Sequence, residues 1–268
     1  MDCKIVLSDI DGTVITSDHR VLPRTAAAIR QIVGRGIPFA LVSARMPAAI
    51  APIVREIGVP TAVISYNGAL VLASDGREIY DERMTRVHTE EVLRCVAERY
   101  PAATMNYYAG DTWYVRDRSD PAVQREEEIT TVTSVTADFA ALIAAEILPN
   151  KLFAMGAEEL IERMERELSE AFPMLSVMRS LPHLLEIIAC TVSKATGIEH
   201  LLAHYGIDRT EALAFGDNYN DIEMLRYVGY SVAMGNAPEE IKGIASDVTE
   251  ANDADGIYHF LKKLHMVD

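Results

Sequence analysis

Strand-length apolar runs alternate with helix-length stretches at both ends of this chain, a pattern that leads to a parallel sheet covered by helices. The run Ile5-Val6-Leu7 is followed by a predicted helix from Pro23 to Val33, with Pro23 suited to the first turn and Gly34 and Gly36 ending it. Phe39 to Val42 reads as the next buried strand, Pro47 to Ile57 as a helix and Ala62 to Ile64 as a third strand. Ala69 to Leu72 and Glu78 to Tyr80 flank Ser74-Asp75-Gly76-Arg77, where Asp-Gly predicts a tight primed hairpin turn. The pattern returns with helix Ala195 to His204, strand Ala212 to Phe215, helix Asp221 to Tyr227 and strand Tyr230 to Ala233. A short helix after Pro238 and a last one from Gly256 to Leu264 complete it.

Between these ends the character changes. Thr104 to Tyr108 and Trp113 to Arg116 read as strands and Glu159 to Leu168 as an amphipathic helix, a mixture that predicts an inserted α+β module. The expected architecture is α/β: a doubly wound, Rossmann-like parallel sheet from residues 1–82 and 189–268, carrying an α+β cap domain over 83–188. A length of 268 residues suits two domains or one with a large insertion. The acidic run Glu126-Glu127-Glu128 reads as a solvated face.

Composition narrows the function classes. A net charge of -15 argues against general attraction to nucleic acid or anionic membranes. Cys3, Cys95 and Cys190 are scattered without metal-type spacing, which predicts buried reduced thiols. Met1-Asp2-Cys3-Lys4 leads straight into a strand instead of a signal-peptide core, and no apolar run approaches membrane-spanning length. A cytoplasmic protein is expected.

Chemistry is expected where strands end. Asp9-Ile10-Asp11-Gly12-Thr13 follows the first strand, and two carboxylates so close repel unless a cation or a shared proton relieves them. A hard ion such as Mg2+ takes oxygen ligands and commonly works beside phosphate. Gly216-Asp217-Asn218-Tyr219-Asn220-Asp221 adds further oxygen donors behind another strand, with Asp221 open to two readings, a helix N-cap or a buttress of a metal shell. Ser43-Ala44-Arg45 offers a hydroxyl and backbone amides ahead of a helix, an anion site or a simple cap. Lys194 opens a helix, where a cation is disfavoured unless an anion lies near; read alone, it is a solvated surface charge.

In this order the four segments resemble the motifs of the haloacid dehalogenase superfamily, and within it the Cof-type phosphatases with a type IIB α/β cap between the second and third motifs. Asp9 to Thr13 matches the first motif, Ser43 the second, Lys194 the third and Gly216 to Asp221 the fourth. Tyr66-Asn67-Gly68-Ala69 and Val232-Ala233-Met234-Gly235-Asn236-Ala237 are supporting matches. The chain departs from the pattern at Ser43-Ala44-Arg45, where Thr-Gly-Arg is common, and at Thr191-Val192-Ser193-Lys194-Ala195, where Gly-Val-Ser-Lys-Gly is common. The short stretch between Asp11 and Ser43 speaks against a β-phosphoglucomutase-like helical cap.

The resemblance implies a magnesium-dependent phosphatase of small phosphorylated metabolites, sugar phosphates first, with pyridoxal phosphate or flavin mononucleotide as runners-up. Asp9 would be the nucleophile that becomes an aspartyl-phosphate, and Asp11 the general acid and then base. Mg2+ would be held by Asp9, the Asp11 backbone carbonyl and Asp217, with Asp221 close by; Ser43, Lys194, Asn220 and the amides of Ile10 and Ala44 would hold phosphoryl oxygens. The cap would act as a lid, with Tyr107, Tyr108, Trp113, Arg116 and His183 open to substrate contact or to packing. A monomer or weak homodimer without nucleic-acid or membrane partners is expected. A phosphomutase and, less favoured, a receiver-like phosphoacceptor are the other readings.

Overall fold

The computed structural model describes residues 3–268. They form two compact units, one from the chain up to Arg45 with Ile50–Tyr80 and Ser193–Asp268, the other from Met46–Ala49 with Asp81–Val192.

In the first unit, six strands run parallel in the spatial order Asp247–Val248, Tyr230–Ala233, Ala212–Gly216, Ile5–Asp9, Phe39–Val42, Ala62–Ser65; Leu70–Leu72 and Glu78–Asp81 extend the sheet beyond. Strand pattern explains why both faces are covered. Val6, Leu41, Leu213 and Phe215 point to one face, where Ile29, Ile53 and Phe260 of three helices meet them. Ile5, Leu7, Val42 and Ala214 point to the other, against Ile198, Leu201 and Leu202 of helix Lys194–Tyr205. Period-two alternation of side chains that are apolar on both faces leaves no solvated side, the condition for a doubly wound parallel sheet.

From Ile5–Asp9 the chain adds strands first in one direction and later in the other, so Ile5–Asp9 and Ala212–Gly216 are neighbours across the switch point. There, at the carboxyl ends of the strands, a doubly wound sheet opens a crevice.

Three local expectations are corrected. The hairpin turn is not primed: among the turn residues only Gly76 has positive φ, at 82°, while Gly76 N–H bonds Ala73 and Ala73 N–H bonds Arg77, the three-residue loop with a left-handed glycine. The segment after Gly216 enters its helix through a 3-10 turn, Tyr219–Asp221, and the α-helix spans Ile222–Tyr227. Cys190 is exposed in the turn after strand Leu184–Ala189, and Cys3 and Cys95 are half-buried, so the thiols are not sealed in the core.

The second unit holds a six-stranded, mostly antiparallel sheet ordered Leu175–Leu181, Leu184–Ala189, Lys151–Met155, Thr104–Ala109, Thr112–Val115, Val135–Thr136. Helices Arg86–Arg99, Phe139–Ala144 and Glu158–Ala171 pack Val92, Phe139 and Ile161 against Tyr107, Leu152 and Ile187 on one face. Tyr107 is thus core and donates its hydroxyl to the Ile147 carbonyl at 2.6 Å. Trp113 is buried, stacks on Tyr108 at 5.7 Å and donates its indole N–H to Asn106 Oδ1 at 2.9 Å. Arg116 lies over the Phe139 ring, and His183 is exposed in the turn before Leu184. The acidic run is more than a solvated face: Glu127 takes Arg118 at 3.1 Å and the Ser134 hydroxyl at 2.7 Å, and these donors hold its carboxyl down at about 2. Among the described residues, no helix is long and apolar enough to cross a membrane.

Candidate active site

Asp9 is the last residue of its strand and Lys194 the first of its helix, 185 positions away, yet Lys194 Nζ lies 2.5 Å from Asp9 Oδ1 and 2.6 Å from Asp221 Oδ1. The lysine side chain is 1% exposed, so it is not the solvated surface charge that its position alone suggested. A reciprocal capping box holds the helix start: Ser193 Oγ accepts the Thr196 N–H at 3.2 Å and Thr196 Oγ1 accepts the Ser193 N–H at 2.9 Å. Gly68 and Gly197 let this helix dock close. A Cβ on Gly68 would lie 2.0 Å from the Ser193 carbonyl oxygen, and one on Gly197 would lie 2.8 Å from Gly68 Cα. The segment Tyr66–Gly68 therefore buttresses the element that carries Lys194.

Electrostatics follow from burial. Desolvation works against the Lys194 charge, but Asp221 and Asp9 outweigh it and hold the ammonium above its ordinary pKa. Burial pushes the Asp9 carboxyl well above the usual range despite Lys194, with Asp221 and Asp217 adding to the rise. Burial likewise pushes Asp217 up to about 6, with Asp221 and Asp11 contributing and a hydrogen bond from Thr13 opposing.

Asp221 is no cap for the helix that follows; it makes no side-chain bond to it. Its Oδ2 accepts the N–H groups of Asp217 and Asn218, both at 2.9 Å, while Oδ1 takes Lys194. It folds the loop back on itself, which requires Gly216, where a Cβ would lie 2.8 Å from that of Asp221. Asp217 is reached from two sides, by the Thr13 hydroxyl at 2.7 Å and the Asn236 amide at 3.4 Å. Gly12, at φ 80°, leaves room for it: a Cβ there would stand 2.3 Å from Asp217 Oδ2.

Asp11 lies apart from the buried triad, half exposed, and Arg45 holds it in a two-pronged ion pair with Nε at 2.9 Å and Nη2 at 2.6 Å. Ser43 is buried, and its hydroxyl accepts the Arg45 N–H at 3.2 Å. Ala44 sits between them. The Ile10 carbonyl accepts from Thr13, Val14 and Ile15, closing the turn that carries Asp11. Asn220 is exposed in the 3-10 turn. The pairing of Arg45 with Asp11 and the place of Asn236 beside Asp217 are not visible in local pattern, although both residues stand just beyond strand ends, the signal that marks Asp9 and Asp217.

A family description, haloacid dehalogenase-like hydrolase, matches residues 6–261. The chain belongs to this superfamily. A Haemophilus influenzae protein described as a phosphatase is 36% identical to this chain over 261 residues, 97% of both chains. The 5-amino-6-(5-phospho-D-ribitylamino)uracil phosphatase YitU of Bacillus subtilis is 26% identical over 268 residues, covering 97% of this chain and 96% of YitU. Among solved structures, a haloacid dehalogenase-like hydrolase from Bacteroides thetaiotaomicron superposes with a TM-score of 0.89 at 27% identity, covering 98% and 99% of the two chains. With the family shown, the enzyme is a haloacid dehalogenase-type phosphatase.

Its donor set suits a hard cation. One carboxylate oxygen from each of Asp9, Asp217 and Asp221 lies within 4.8 Å of the others, an all-oxygen group fit for magnesium and unlike the nitrogen and sulfur sites that softer metals prefer. Both Asp221 oxygens already accept hydrogen bonds, whereas Asp9 has one oxygen clear of Lys194. Three carboxylates around one ammonium leave negative charge in excess where a phosphate dianion must approach, and a divalent ion relieves it.

Proposed function

We propose that this phosphatase is magnesium-dependent, hydrolyses phosphomonoesters of small metabolites, sugar phosphates foremost, and works through an aspartyl-phosphate on Asp9. The observation that carries the reading is the Asp9 carboxylate itself, buried, at the switch point, with one oxygen tied to Lys194 at 2.5 Å. Lys194 orients that carboxylate and presents positive charge to the incoming phosphoryl group. The free oxygen of Asp9 attacks phosphorus; the P–O bond to the alcohol breaks and Asp11 gives the leaving oxygen a proton. Water then attacks the phosphorus of the aspartyl-phosphate and passes a proton to Asp11, releasing phosphate and regenerating Asp9. Arg45 holds Asp11 ready between these steps. Ser43, Asn220 and the N–H groups of Ile10 and Ala44 serve as phosphoryl donors in this scheme. Mg2+, held by Asp9 and Asp217 with the Asp11 carbonyl, would neutralise charge as nucleophile and phosphate meet.

The core of this reading is residues 1–82 with 189–268, and the inserted cap is 83–188. Its substrates are small, as with YitU, whose name carries a phosphorylated ribityl group. The enzyme would act in the cytoplasm as a monomer or weak homodimer. Phosphate release from a panel of sugar phosphates, pyridoxal phosphate and flavin mononucleotide is the direct test. Release that needs Mg2+ and stops with chelator is expected; isomerised sugar in place of free phosphate would point to a mutase, and no turnover of any ester would sink the reading.

Proton competition gives a second expected outcome. Asp217 must be ionised to hold a cation, and its carboxyl stands at about 6 without one. Through this group, magnesium affinity should weaken as pH falls through about 6, toward about tenfold per unit below it. The same shift makes the metal-free protein lose stability from this group as pH rises from about 4 through 6, because the folded state binds the proton more tightly than the unfolded one. Calorimetric titration with Mg2+ across that range checks the first effect and metal-free melting the second; a flat affinity would remove Asp217 from the ligand set.

A further inference from the structure

We infer that Asn236 is a positioning residue that sets the Asp217 carboxylate for the cation, an inference that rests on the magnesium-dependent reading above. Asn236 follows strand Tyr230–Ala233 at the same sheet edge as Asp9 and Asp217. Its Nδ2 donates to the Gly12 carbonyl at 2.9 Å and reaches Asp217 Oδ2 at 3.4 Å. Its Oδ1 accepts the Asn252 N–H at 3.1 Å. Asn252 is buried and donates its own side-chain amide to the Ile15 carbonyl at 2.9 Å. One amide thus ties together the turn after the first strand, the Asp217 loop and the turn at Asn252.

The polarity of these contacts leaves a single orientation. A backbone N–H only donates, so the Asn236 oxygen must face Asn252, and the NH2 group must face the Gly12 carbonyl and the carboxylate. Thr13 holds the other Asp217 oxygen at 2.7 Å. The terminal torsion of an aspartate is otherwise broad, so two donors on opposite oxygens restrict a rotation that a free side chain would keep. A ligand oriented in advance loses less freedom when the cation arrives, and removing such outer partners typically lowers metal affinity by about 10- to 100-fold.

The test is calorimetric titration of the full chain with Mg2+, comparing wild type with Asn236→Ala, alongside metal-free melting and turnover over a range of Mg2+ concentrations. Asn236 is exposed, so metal-free melting should hardly change. The dissociation constant for Mg2+ should rise at least about tenfold, and kcat should recover at saturating Mg2+. An unchanged dissociation constant overturns the inference alone. A kcat that stays low at saturating Mg2+ overturns it in favour of a general structural role. Should the alanine variant fail to fold, Asn236→Gln keeps the amide but displaces it by a methylene, and the same rise is expected. Wild-type protein that takes up no Mg2+ overturns the metal-dependent reading and this inference with it.

Discussion

Asp9→Asn should abolish turnover of every phosphomonoester, with a loss of at least about 10⁴-fold, while the protein stays folded. Asparagine has the size of aspartate but no anionic oxygen to attack phosphorus. The fold tolerates the exchange because Lys194 keeps Asp221 at 2.6 Å and because burial already disfavours the Asp9 charge, which the variant removes. Melting temperature should accordingly match or exceed that of the wild type in the absence of metal. Phosphate release measured beside thermal melting decides the matter: full activity in the variant would mean that another group carries the nucleophile.

Lys194→Met should be the most destabilising single change at this site, by about 3–5 kcal/mol at neutral pH. The ammonium is buried between two buried carboxylates, and its removal leaves both without their counter-charge. Methionine fills much of the space but neutralises nothing. The pKa of Lys194 is held above its ordinary value, so its own titration costs no stability below the ordinary lysine range and removes the contribution as pH rises through the raised value. Adding Asp9→Asn to the variant should restore part of the loss, because one of the two orphaned charges is gone. Urea unfolding of the two variants and the double variant measures this; a single variant within about 1 kcal/mol of wild type would show that the buried ion pairs contribute little to the fold.

Legibility differed sharply between the two units. Strands Phe39–Val42 and Tyr230–Ala233 and helix Pro47–Ile57 run between the residues that local pattern predicts, because short, mainly apolar runs, a proline at the first turn and a glycine beyond the end are signals carried within a few residues. In the second unit, helix Arg86–Arg99 buries only Thr89, Val92, Leu93 and Val96 along a largely charged stretch, and strand Lys151–Met155 is fully buried although it opens on a lysine. Periodicity there is too weak to announce either element. Strand Asp247–Val248 is two residues long and exists because Val232 and Ala233 offer it an edge.

At the site, the residue types and their places at strand ends were readable, since Asp9 and Asp217 each abut an apolar run and no folding beyond the strand is needed to see it. The partnerships were not. Local pattern leaves Asp221 between a helix cap and a buttress of a metal shell, and the 3-10 turn decides its partners by aiming the carboxylate back at the Asp217 and Asn218 N–H groups. Arg45 reads as part of an anion loop, but it grips Asp11.

Local pattern therefore carries the alternation that makes a parallel sheet and the acidic ends of its strands, because both depend on neighbours a few residues away. The packing of distant elements brings Lys194 between Asp9 and Asp221. That meeting depends on the parallel register of Ile5 with Ala212 and on two glycines, Gly68 and Gly197, that allow a helix to dock at backbone distance. Charge pairs between remote segments are set by how whole elements pack, and short-range pattern carries no record of that.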